Sequence, residues 1–142
     1  MSKFFDAADE IHNRLAAVPG LAGISLLVDR QKDIESEFNK VVGKQIGNLA
    51  IITWSGAPNE DPAADGPNLS CRYTVTLFSK PVIRHGDTPA DDIIETIARA
   101  LHNSSLTGSE SYSDRVVVTG IDPIQSDSLL IFRINLSIPI QL

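Results

Sequence analysis

The sequence predicts an α+β fold: a single domain, residues 1–142, with a mostly antiparallel sheet packed by an N-terminal helix and a central amphipathic helix. Two stretches, "CRYTVTLFSK" (71–80) and "LLIFRINLSIPIQL" (129–142), alternate apolar and polar residues as half-buried strands do. Two others, near the N-terminus and after residue 88, space their apolar residues three and four apart, as helices with one buried face do. Length and composition agree. At 142 residues, 42% apolar and 21% charged, the chain is long enough to bury a core and too apolar to stay disordered.

The first helix is expected over residues 3–17, where Phe4, Ala8, Ile11 and Leu15 share one face. "VPG" (18–20) stops it, because Pro19 cannot continue a helix and Gly20 turns easily. "GISLLV" (23–28) reads as a short buried strand. In "DRQKDIESEFNKVVGK" (29–44), Ile34, Phe38, Val41 and Val42 form one helical face that Gly43 can end. "NLAIITWS" (48–55) is β-branched and aromatic, hence a strand, with Trp54 packing at the core or its rim. "GAPNEDPAADGPNLS" (56–70) is rich in proline, glycine and acids and reads as a loop too long for a simple hairpin.

The strand at 71–80 places Cys71, Tyr73, Val75 and Leu77 on one face. Thr88 is placed to cap the next helix, Pro89 suits its first position, and Asp91 and Asp92 favour the positive end of its dipole. Ile93, Ile94, Ile97, Ala98 and Leu101 then mark the face that covers the sheet. "SSLTGSESYSD" (104–114) is a polar loop, and "RVVVTGIDPIQ" (115–125) a strand whose Gly120 and Pro123 mark a bulge or an edge. The last strand alternates from Leu130 to Leu142. At about 3.3 Å per residue it reaches roughly 40 Å, more than one small sheet needs. Residues 137–142 are therefore expected to pair with, or pack on, an adjacent subunit by strand addition, with Ile138, Ile140 and Leu142 at the interface and Pro139 limiting the pairing, the alternative being a strand wholly inside its own sheet.

Several function classes find no support. No apolar run approaches the roughly 18 residues of a membrane helix. Asp6, Asp9 and Glu10 interrupt the apolar stretch a signal peptide requires, so a cytoplasmic product is expected. Cys71 is the one cysteine, which leaves no internal disulfide and no thiolate metal site, and a packed thiol is its expected state. A net charge of −6 argues against general binding to nucleic-acid phosphates, though not against nucleic acid passing nearby.

His12, His85 and His102 fall in different elements, and no H-E-x-x-H, C-x-x-C or G-x-S-x-G occurs. His102 lies near a helix C-terminus, where a partly charged imidazole is mildly favourable. The spacing of Asp61 and Asp65 does not match a calcium loop. No catalytic residue, cofactor or metal site is predicted, and Glu60, Asp61 and Asp65 are expected to bind no metal.

The element order, with "YTVTLFSK" leading into "PADDIIETIARALHN" and two final strands, resembles the tail terminator and minor tail (tail-completion) proteins of tailed bacteriophages. The resemblance covers most of the chain, and its most particular piece is the strand–turn–helix from Tyr73 to His102. It implies no enzyme but a structural virion protein of the tail or neck, assembled in the host cytoplasm. The implied architecture is a homo-oligomeric ring, usually hexameric, that caps the tail tube and docks the head–tail connector, with DNA only passing through. Such a ring is heterologous and closed, so each subunit shows two different faces to its neighbours. An acidic lumen would keep DNA from sticking, and Glu60, Asp61 and Asp65 are the candidate lumen loop. Two other readings stay open. One is a head-completion or neck connector protein. The other is a small cytoplasmic ligand-binding domain or enzyme with a pocket between the sheet and the 88–102 helix, for which Arg72, Arg84 and His85 are the candidate polar groups.

Overall fold

A computed structural model of the chain describes residues 3–21, 24–29, 48–59, 68–79, 90–102, 104, 115–124 and 130–141. Their elements are α1 (Lys3–Ala16), β1 (Ser25–Asp29), β2 (Asn48–Gly56), β3 (Asn68–Ser79), α2 (Ala90–Leu101), β4 (Val117–Ile124) and β5 (Leu130–Gln141). Of the helix expected at 29–44, Asp29 ends β1 and residues 30–44 lie outside the described residues, as do the caps Thr88 and Pro89, the loop acids Glu60, Asp61 and Asp65, and Leu142.

The strands form one five-stranded sheet in the order β1-β2-β3-β5-β4. Every neighbouring pair is antiparallel except β1 and β2, which run parallel, so the α+β, mostly antiparallel expectation holds. The longest ladder joins β3 to β5 without a break, from Asn68 opposite Gln141 to Ser79 opposite Leu130. Side chains directly opposite share a face. That register therefore puts Cys71, Tyr73, Val75 and Leu77 on the same face as Ile138, Leu136, Ile134 and Phe132.

Both helices cover this face. α1 turns Ala7, Ala8, Ile11 and Leu15 inward, and α2 turns Ile93, Ile94, Ile97 and Leu101 inward; all are buried. They join Val75, Leu77, Ile134 and Leu136 in one cluster, as the helical spacing predicts. The opposite face carries Arg72, Thr74 and Thr76 beside Ser137, Asn135 and Arg133, which is why β3 alternates. On β2 that second face is apolar as well, and Leu49 and Ile51 are buried although they stand outside the main cluster.

Side-chain bonds tie the layers together. The Tyr73 hydroxyl donates to the Phe4 carbonyl at 2.7 Å, fixing the first turn of α1 to the middle of the sheet. Arg14 Nε donates to the Ala100 carbonyl at 3.1 Å, joining α1 to the C-terminal end of α2. Trp54 stacks on Phe4 with ring centroids 4.5 Å apart and meets Phe5 edge-on, a packing role at the rim of the core. Where β2 ends, its register with β3 shifts between Trp54 and Gly56. Gly56 there has φ of 125°, which side-chain-bearing residues rarely adopt.

Candidate assembly surfaces

β3 and β5 outrun their neighbours. β2 pairs with β3 only from Arg72 to Ser79, and the β4 ladder on β5 ends at Ser137. Beyond that point Asn68–Cys71 and Ile138–Gln141 continue as a two-stranded extension. Its flank on the β3 side is partly filled: Asn59 bridges to Leu69, and the Ser70 amide donates to the Pro58 carbonyl at 2.9 Å. The Ser70 and Ser137 hydroxyls bond diagonally across it at 2.8 Å.

This arrangement changes the reading of the C-terminal strand. β5 is as long as its alternation suggests, but its partner is β3 of the same chain. Ile138, expected at a subunit interface, is fully buried in the home core opposite Cys71. The physical reason is that β3 begins at Asn68, three residues before its alternation becomes visible, and so supplies the extra length within the domain. Ile140 pairs with Leu69 in the same ladder. Pro139 stands opposite Ser70, so the strand tolerates a residue without an amide inside a paired segment.

Three large apolar side chains are exposed among the described residues: Val117 at 41%, Ile121 at 43% and Leu130 at 47%. Ile121 sits opposite Ile134, and Pro123 opposite Phe132, so Ile121, Pro123, Phe132 and Leu130 form an apolar corner of the helix-bearing face. β4 is the outer strand at that corner, and it bulges between Val118 and Gly120. Bulge and edge, the two readings of Gly120 and Pro123, are therefore both present.

The candidates for chemistry are structural where they are described. Cys71 is buried, and desolvation pushes its thiol up to about 11, so it stays protonated and inert at neutral pH. The His102 Nδ1 accepts the Val118 amide at 3.1 Å, which ties the end of α2 to β4. Asp91 and Asp92 are exposed in the first turn of α2, where they favour its dipole. Arg72 is exposed on the helix-free face, away from the space between α2 and the sheet. No group of three or more His, Cys, Asp or Glu residues suited to a metal occurs among the described residues. No helix among them is long and apolar enough to cross a membrane.

Sheet, helices and surfaces together define a small α+β domain whose exposed features are strand ends and apolar edges. In solved structures, a chain of the virion of a native gene transfer agent particle shares this fold. The likeness has a TM-score of 0.67 at 10% identity and spans 95% of this chain and 94% of that one. No family model matches, and neither does any curated protein.

Proposed function

We propose that the chain is a structural virion protein that forms a ring, hexameric as the resemblance to tail terminator proteins implies, at the end of a phage-type tail tube. The observation that carries this is the end-to-end likeness to a chain of the gene transfer agent virion. Coverage of nearly all of both chains means that the shared architecture is the entire domain and not one common motif. In this role the domain acts through its surfaces. Ile140 and Leu142, beyond buried Ile138, together with the two-stranded extension, meet a neighbouring subunit or the tube. Glu60, Asp61 and Asp65 face the lumen, and the net charge of −6 keeps passing DNA from adhering. The ring joins the tube on one side and the head connector on the other.

Removing the coding sequence from the genome that carries it tests this reading. The expected particles have tails that fail to finish and heads that stay unjoined, and the intact chain supplied in trans restores them. Complete, infectious or transducing particles without the chain would contradict it.

A further inference from the structure

The outer edge of β4 is partly occupied by backbone and side-chain acceptors. The Val118 amide donates to His102 Nδ1 at 3.1 Å, and the Val116 amide donates to the Ser104 carbonyl at 2.9 Å. Both amides therefore point away from β5. Backbone groups alternate along a strand, and Ser137, Asn135, Arg133 and Ile131 turn theirs toward β4. Asp122, opposite Arg133, then points inward, while Ile121 and Pro123 point outward. Pro123 has no amide to offer. Outside the bulge at Thr119, the outward amides among the described residues are thus those of Val116 and Val118, both taken, and of Ile121, while Pro123 has none.

The backbone that carries the occupying groups is held by hydrogen bonds. Ser104 is buried, and both its amide (3.0 Å) and its hydroxyl (2.6 Å) donate to the Leu101 carbonyl, so its own carbonyl is aimed at Val116. His102 is the residue after the end of α2, and its amide donates to the Ala98 carbonyl at 2.9 Å. Free strand edges pair with other chains, and edge strands carrying apolar side chains such as Val117 and Ile121 are the hazardous ones.

We infer that the C-terminal turn of α2 is a latch that shuts the β4 edge against strand pairing with a second copy of this chain, with His102 as its positioning residue. The side chains of Val117 and Ile121 remain available for contact, but continuous sheet across this edge is blocked. The inference is independent of the virion reading. A closed ring stops at one upper mass however concentrated the chain, whereas edge pairing adds species outside that ring stoichiometry as concentration rises.

The test compares the full chain with His102→Ala and His102→Asn, whose Oδ1 can take the place of Nδ1. Amide exchange at Val118 and sedimentation over a concentration series are the two readouts. In His102→Ala, exchange at Val118 is expected to rise about tenfold, with concentration-dependent species beyond those of the unaltered chain, and His102→Asn to restore both. Should His102→Ala lose its fold, His102→Gln carries the same comparison, since it keeps the bulk but moves the acceptor to the Nε2 position. Unchanged exchange at Val118, or faster exchange with no added self-association, would overturn the latch.

Discussion

The hydroxyl of Tyr73, at the centre of the sheet, donates to the carbonyl of Phe4 in the first turn of α1. Tyr73 is fully buried, so its polar end needs a partner and finds one in the helix that covers it. The same turn carries the Phe4 ring that stacks on Trp54. Tyr73→Phe removes the hydroxyl and keeps the ring. It is expected to cost about 1 kcal/mol, read from the urea midpoint at unchanged slope. A change in slope instead would mean that α1 had come away from the sheet.

Ile97 is fully buried on the inner face of α2, against the β3–β5 core. Ile97→Ala should destabilise the fold by about 2–5 kcal/mol, measured by denaturant unfolding. The exposed Glu95–Arg99 pair on the same helix is expected to be worth only about 0.3–0.5 kcal/mol, so Arg99→Ala serves as the contrasting surface variant.

Burial raises the Cys71 thiol from 9.0 to about 11. The folded state thus keeps its proton at a pH where the unfolded chain releases it. The contribution of this group to stability is complete below pH 9.0 and falls as pH rises towards about 11. Unfolding measured from pH 8 to 11 should lose stability more steeply for the unaltered chain than for Cys71→Ala. In the native state at pH 8 the thiol should resist alkylation that proceeds readily in denaturant.

Much of this fold is legible in the sequence because burial is one-sided. The faces of α1 and α2, and the alternation of Cys71–Leu77 and Phe132–Ile138, all follow from which residues meet the core. Strand partnership is less visible. Asn68, Leu69 and Ser70 follow Gly66 and Pro67 and read as loop, yet they form the start of β3 that pairs with Pro139–Gln141. Alternation shows that β5 is long and half-buried but is the same whether its partner belongs to the home chain or to a neighbour. The parallel pairing of β1 with β2 is equally silent, since apolar runs carry no direction. The His102–Val118 bond spans 16 residues, including a polar stretch with no periodicity, and has no local signature.

Gly56 gives a further check on the end of β2. An added Cβ would meet nothing within 4 Å, so backbone conformation alone constrains the position. Gly56→Ala is expected to cost about 1 kcal/mol or more in thermal or urea unfolding, through the φ of 125°. A neutral result would mean that this φ relaxes without penalty.

Electron microscopy of the purified chain, labelled at its N-terminus and mixed with tail tubes from its own particles, tests the proposed role most directly. The expected image is a closed six-fold ring at one end of each tube, on the side that faces the head. Label scattered along the tube, or a chain that stays at its 15.4 kDa monomer mass in the presence of tubes, would contradict it.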